Sequence, residues 1–473
     1  MHSTINLALY QSDGFTSRDF VKHLPNGECL RIVVKPNWVM HSSHPAFPIE
    51  ALVTSAALIG KVVDACFEKF PELQSLIVGD VPLQTCEFER MCAQSGVDKL
   101  AEACERKYGA RVRFLDLRRE RYVMIAGFME LDHSATGDPS GYTEIRLDKQ
   151  SQLEEISHNA GTFRVSDYDP NETTSTHSAG HHHYLVARSV LEADLVINMP
   201  KMKTHQKSGI TGALKNLVGI NGSKACLVHH QLGKPSGGGD EFPEDISSLV
   251  VLQTRLRSLL QKRSAFLFRL LRAVWLAIKR LRGIRSVATR ENLERGGIYT
   301  ASGSWYGNDS IWRMVYDLNL VLLFGKPEGG PLSDTAQRRV VSILDAGVAG
   351  EGNGPLQALP VQVGIVAVSE NPFLIDFAMA RMMGFDWRKI PLLSNYKRFA
   401  WSGLSDFDPH AFPVVNDGKP CFTGIDALPV IRPFISPPGW KGHIEAEDLG
   451  VERVGSVKGE TSKAIQTPRP IGD

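Results

Sequence analysis

The densest reactive chemistry in the chain lies between His177 and His230. That segment holds seven of the fifteen histidines: His177, His181, His182, His183, His205, His229 and His230. At its centre the apolar run Asp194–Met199 leads into Pro200-Lys201-Met202-Lys203-Thr204-His205. Gly209, Thr211, Gly212, Lys215 and Asn216 follow. Lysines supply point charges for phosphate or carboxylate, and glycines let backbone N–H groups come close to a ligand. Thr211-Gly212 is placed to open a helix, whose amino end favours an anion, with Lys215 and Asn216 in its first turns. The pattern predicts an anion pocket bound by Lys201, Thr204, Gly209, Thr211, Gly212 and Asn216. His205 is the candidate proton-transfer group, with Lys203 and Lys215 as its catalytic partners. Neighbouring lysine charge should disfavour its protonation and keep it available as a base. The spacing lacks G-x-x-x-x-G-K-[ST], so a Walker A loop is not indicated.

Other polar residues fall just after apolar runs. Lys35 and Asn37 follow the first such run and read as further substrate ligands. Asp80 closes the second and Asp345 a late one. Glu351 and Asn353 lie in Gly350-Glu-Gly-Asn-Gly-Pro355, read as a backbone drawn close to a ligand or as a tight turn. A divalent metal is the one cofactor this set suggests, with Asp80, Asp345, His177 and His183 as candidate ligands; three successive histidines cannot all face one ion. With Glu351, the same carboxylates could instead orient His205. Trp305, Tyr306, Asn308, Asp309 and Trp312 suit stacking on a sugar or base with the polar pair bonding hydroxyls, or else an aromatic anchor at a junction. Asp376 reads as a carboxylate complementing the dipole of its own helix.

The elements that must carry these groups alternate. Cys29–Val34, Leu73–Val78 and Arg111–Leu115 read as strands; Ile49–Phe70 and Glu87–Tyr108 read as helices between them. This βαβαβ order predicts an α/β fold, a mostly parallel sheet with flanking helices, whose carboxyl edge binds ligands. Asp116 to about Tyr184 reads as an irregular polar segment. Asp194–Met199, Arg339–Leu344 and Val361–Val368 read as further strands, and Phe373–Met383 as a helix. Residues 1–250 and 296–438 are the two parts of the α/β body, and 439–473 a polar tail.

Charge isolates residues 251–295. The chain has 473 residues and a formal net charge of +1, yet 251–290 carries eleven Lys/Arg and no Asp or Glu. Ala265–Leu281 is apolar but broken by Arg269, Arg272, Lys279 and Arg280, too charged for a membrane span. It reads as a basic amphipathic helix for an anionic membrane surface, with Phe266, Leu270, Trp275 and Ile278 exposed. The alternative buries that face on the body or on a second subunit. No reader motif accompanies the charge, so nucleic acid is not an expected partner. Seven cysteines without C-x-x-C argue against disulfides, structural zinc and an intrinsic iron–sulfur cluster. With no signal-peptide pattern, this favours the cytoplasm.

Lys35-Pro-Asn, the PKMKTH and GALKN cores, Gly303–Asn319, Asp345–Pro355 and Pro372–Asp386 together resemble the domain-of-unknown-function family 362. The resemblance runs from Arg31 to Pro391 around the basic segment. It implies a cytoplasmic α/β protein and no established reaction. Some members carry a ferredoxin-like domain, for which this chain lacks the cysteines. The layout is also distantly similar to the nickel-pincer lactate racemases, at the level of fold alone. The expected function is an enzyme, a transferase or isomerase, acting on an anionic, phosphate- or carboxylate-bearing small molecule, sugar- or lipid-linked where the basic segment meets a membrane. The alternative is a non-catalytic metal or cofactor carrier, or a redox accessory protein, at a membrane complex.

Overall fold

Short β-branched runs make the strands. In Arg31–Lys35 (β2), Ile32 and Val34 are buried on one face and Val33 on the other, the period-2 alternation of a sheet covered on both sides. The computed structural model describes residues 7–447, apart from 126–127, 133–135, 166–167, 250, 253, 257–301 and 417–418. Most of the basic segment, with the helix read over Ala265–Leu281 and its four apolar residues, lies outside the described residues, as do residues 448–473.

Eleven strands form the main sheet. In chain order they are β1 (Leu7–Gln11), β2, β3 (Ser75–Asp80), β4 (Val112–Asp116), and, after two strands of a second sheet, β7 (Leu195–Asn198), β8 (Lys201–His205), β9 (Gly209–Ile210), β10 (Arg339–Asn353), β11 (Gln357–Ser369), β12 (Pro413–Asn416) and β13 (Lys419–Thr423). The order across the sheet is β13-β12-β1-β11-β10-β7-β2-β3-β4, with β8 paired to β10 and β9 to β8. β4, β3, β2, β7 and β10 run parallel; β11 and β13 run against their neighbours. The α/β, mainly parallel fold is therefore as expected.

Helices α1 (Ala56–Lys69), α2 (Phe88–Ser95) and α3 (Val97–Tyr108) connect the first strands. The continuous helix read over Glu87–Tyr108 breaks at Gly96, which takes φ +75°. Leu58, Ile59, Val62, Val63 and Cys66 of α1 pack with Ile32, Val34, Leu76 and Ile197 on one face. The other face is covered by α5 (Ile311–Phe324) and α6 (Pro372–Met382), with α4 (Gly212–Asn216) between them and the sheet edge. Nearly all of α5 and α6 is buried, so both read as apolar all round.

Other boundaries also differ from expectation. The helix read over Ile49–Phe70 is two, Ile49–Leu52 and α1, parted by the extended backbone of Val53. The polar stretch after Asp116 is ordered: a hairpin pairs residues 121–125 with 128–132, and β5 (Tyr142–Arg146) pairs antiparallel with β6 (His181–Ala187). Its alternating polar residues are the exposed faces of short strands. The glycine run after Asp345 is strand, not turn, because β10 continues to Asn353. The polar tail read from Gly439 begins inside the packed body: Trp440 and Ile444 are fully buried.

Candidate functional site

The carboxyl ends of β2, β3 and β7 bring Lys35, Asp80 and Asn198 together. Lys35 pairs with Asp80 at 2.8 Å, both almost wholly buried. The Asp80 carboxylate also accepts from Trp38 N and Val81 N. Gly219 lies directly on the pair: a Cβ there would fall 1.9 Å from Asp80 Oδ1 and 2.6 Å from Lys35 Nζ. Asn216 at the end of α4 accepts from Asn37 Nδ2 at 2.8 Å and donates to Asn198 Oδ1 at 2.7 Å. Lys203 Nζ donates to Asn37 Oδ1 at 2.6 Å and to Leu52 O. Four expected residues, Lys35, Asn37, Lys203 and Asn216, thus meet in one buried network, joined by Asn198, which the sequence reading did not single out.

Lys201 points elsewhere. Lys203 and Lys201 are two residues apart on β8, and a register shift against β10 separates them. Lys201 binds Asp345 at 2.8 Å, and Asp345 also accepts from Ser55 N. This pair lines a cleft of about 470 Å³ with Thr54 and Lys61. A larger cleft of about 1070 Å³, lined by Tyr10, Asn319 and Arg339, contains none of the predicted catalytic residues.

A second group of cations gathers beyond the network. Lys215, on α4, is 8% exposed, and its amine has no hydrogen-bond partner among the described residues. Burial, then Lys224 and Lys207, bring its pKa down to about 7. His205 is held well below its usual range by burial, then by Lys215, His229, Lys207 and Lys203. Its Nδ1 accepts from Lys207 N, which fixes the ring. Burial also brings Lys224 to about 7 and holds Lys203 and His229 well below their usual values. The Thr211 hydroxyl, one helical turn before Lys215, is buried without a hydrogen-bond partner among the described residues. Lys207 Nζ donates to Ser302 O at 2.6 Å, so the chain leaving 257–301 adjoins this cluster. Lys207, Lys224 and His229 enlarge the predicted set; their signal was the same dense Lys/His segment. The low His205 pKa is the direction expected from lysine charge, with burial the larger cause.

The α4 amino end does not receive a substrate. Asp376, from α6, accepts from Ala213 N and, at 3.0 Å, from Leu214 N. Gly212 takes φ +57°, and a Cβ there would lie 2.1 Å from Asp376 Oδ1. The glycine therefore admits the protein's own carboxylate, and Asp376 complements α4 rather than its own helix. Gly209 lies against the Trp440 ring, 3.2 Å from the nearest carbon for a Cβ placed there. Thr204 donates to Gly352 O at 2.8 Å.

Several other predicted residues are committed to the chain itself. Glu351, fully buried, binds Arg432 at 2.8 and 2.9 Å and accepts from Ile435 N. Asn353 bonds Gln357 across the β10–β11 turn. Gly350 and Gly354 let β10 approach β8: Cβ atoms there would meet Lys203 Cβ at 3.2 Å and Thr204 O at 2.0 Å. Asn308 donates to His229 O and Gly303 O and caps α5 through Ser310 N and Ile311 N. Asp309 accepts from Trp312 Nε1 and pairs with Arg313. Trp305 Nε1 donates to Asp240 O, and Tyr306 stacks on His443 with centroids 3.4 Å apart. The aromatic stretch is an anchor at the start of α5.

The metal candidates do not converge. Asp80 and Asp345 already hold lysines. His177 bonds Cys226 O at 2.6 Å and His182 Nδ1, in a setting that burial pushes down to about 3. His183 lies on the opposite face of β6, beside His181 and Asp148.

The chain's similarity to known proteins is partial. The chain is 38% identical over 58 residues to the thylakoid-associated protein sll1697 of Synechocystis sp.. The stretch is 12% of this chain and 18% of that protein, so the chain spans less than a fifth of that relative's length. The lactate racemase apoprotein from Thermoanaerobacterium thermosaccharolyticum is similar over 80% of this chain and 57% of its own, at 10% identity and a TM-score of 0.28. Among the described residues no helix is long and apolar enough to cross a membrane. The family described as "Domain of unknown function (DUF362)" matches residues 132–381, more than half of the chain and the part that carries β8, α4, the Lys215 cluster and Asp376, and the chain belongs to it.

Proposed function

We propose that the chain is an enzyme that binds an anionic, phosphate- or carboxylate-bearing small molecule at the Lys215 cluster and moves a proton on it. The observation that carries this reading is Lys215, a largely buried residue that makes no ion pair among the described residues and is balanced between charged and neutral near pH 7. A half-charged amine in a low-dielectric setting, with Lys224 and Lys207 nearby, favours a ligand that brings negative charge. His205, neutral at pH 7 with Nδ1 already accepting from Lys207 N, presents its Nε2–H as a donor to the anion; the neutral form of Lys215 supplies the base and a protonated lysine beside it the acid. Groups whose pKa values the surroundings have shifted to different values are the pairs from which acid and base roles are built. Of the two reaction classes expected, isomerase fits better than transferase, because one acid and one base need no second substrate. Thr211 Oγ1, buried with its hydroxyl unmatched, is an uncharged substrate ligand in this reading.

Contact with an anionic membrane surface belongs to the same proposal. Leu249, Leu252 and Leu256 are exposed at helical spacing where the chain enters the basic 251–290 segment. A non-catalytic carrier would bind the same anion without turnover. An unbiased metabolite screen on the full chain, with K215M and H205N beside it, separates these readings. The enzyme reading expects a substrate whose conversion falls at least about 100-fold in each variant. Undiminished conversion in both variants contradicts it.

A further inference from the structure

We infer that His181, His183 and Asp148 form a site for a late first-row divalent cation such as Zn²⁺, on the second sheet and apart from the Lys215 cluster. The three successive histidines are divided by the strand they sit on. Side chains alternate along β6. His182 turns inward, fully buried, and bonds Ser157 Oγ, Glu154 and His177. His181 and His183 share the other face, with His183 Nε2 3.1 Å from His181 Nδ1 and ring centroids 3.8 Å apart.

That separation is what an ion requires. Two imidazole nitrogens each bound at roughly 2.0–2.1 Å lie roughly 2.8–3.4 Å apart for octahedral or tetrahedral angles. Asp148 Oδ1 is 3.9 Å from His183 Nε2, and one ligand atom from each of the three residues lies within 4.8 Å of the others. The antiparallel register places Glu144 on the face of His181 and His183, since Arg146 lies opposite His183 and Glu144 opposite Leu185; beyond the strand, Leu147 N donates to His182 O and the turn that follows brings Asp148 beside them. Glu144 completes the arrangement. Its Oε1 is 3.1 Å from His183 Nδ1. It accepts that N–H and leaves the Nε2 lone pair facing His181 and Asp148, the carboxylate–imidazole order that orients metal-bound histidines. Asp148 and Glu144 outweigh the single charge of Arg146 on this face. Two imidazoles and one carboxylate select Zn²⁺, Co²⁺ or Ni²⁺ over Mg²⁺ or Ca²⁺. A bound ion would tie the chain after β5 to the start of β6.

The test is calorimetric titration of chelator-treated full chain with ZnCl₂, repeated on H181A/H183A, D148N and E144Q. The wild type should take one Zn²⁺ that H181A/H183A does not. E144Q should keep that equivalent but bind it about 10- to 100-fold more weakly. Should the double variant fail to fold, E144Q and D148N decide, since Glu144 is exposed and Asn tolerates the left-handed backbone of residue 148 (φ +46°). The inference is overturned if the wild type takes no Zn²⁺ that the double variant lacks, or if E144Q and D148N both bind as tightly as wild type.

Discussion

Two buried lysine groups lie side by side at the edge of one sheet, and they are built on opposite principles. Lys35 and Lys201 each face a carboxylate, Asp80 and Asp345, at 2.8 Å. Lys215 makes no ion pair among the described residues, and burial, then Lys224 and Lys207, bring it to about 7, whereas Lys224 donates to Val218 O at 3.1 Å and the charge of Asp80 offsets part of its burial. A paired buried lysine positions the chain. An unpaired one leaves the folded state holding charge it would shed, which an incoming anion can stabilise. Lys203 stands between the groups: bonded to Asn37 and Leu52 O, yet held well below its usual pKa by burial and by Lys201 and Lys215. The contrast gives the lysines different expected behaviour on mutation, although sequence alone ranks them alike.

The largest effect should come from breaking a pair. K35M removes the direct ion-pair partner of the buried Asp80 and should lower the unfolding free energy by about 3–5 kcal/mol, measured by urea titration. Next comes the glycine that admits Asp376. G212A places a side chain at positive φ and against a carboxylate, and should cost more than about 2 kcal/mol in the same assay. K215M should behave differently from both, with an unfolding free energy at pH 7 equal to or above that of wild type, while anion binding is lost.

The pH dependence sharpens the same contrast. The folded pKa of Lys215, about 7, lies below the unfolded value of about 10.4. Between those values the unfolded chain carries a proton that the folded chain has released. Stability from this residue therefore rises with pH from about 7 towards 10 and is absent below. Thermal melts at pH 7 and pH 9 should show a smaller rise for K215M than for wild type. The smallest effect is expected at Asp309, half exposed and paired with Arg313. D309N should change the unfolding free energy by no more than about 1 kcal/mol and leave anion binding unaltered.

How far the sequence could be read depended on the range of the interactions. Strands such as Arg31–Lys35 and Leu195–Asn198 were legible because sheets covered on both faces demand continuous apolar runs. Lys203, His205 and Lys215 were legible as a group because one strand and one short helix, close in sequence, deliver them. Their partners were not. Nothing near Lys201 announces Asp345, 144 residues away, nor does Gly212 announce Asp376. The glycines from Gly350 to Gly354 suggested a ligand because closely approaching backbone is their common cause, but the approaching backbone proved to be β8. Trp440 lies in a polar stretch and becomes core through contacts distant in sequence, its Nε1 donating to Gln206 O and its ring packing on Gly209. Residues 142–146 and 181–187 escaped notice as strands because their outward faces are charged or histidine-rich.

Lys215 is a largely buried cation poised for an incoming negative charge. A ¹³Cε-lysine NMR titration of the full chain, with Lys215 assigned by its absence from K215M, measures this directly. The predicted result is a pKa of about 7 that moves upward when inorganic phosphate or a substrate anion is added. A value near the ordinary lysine pKa of about 10.4, unmoved by any anion, would contradict the account.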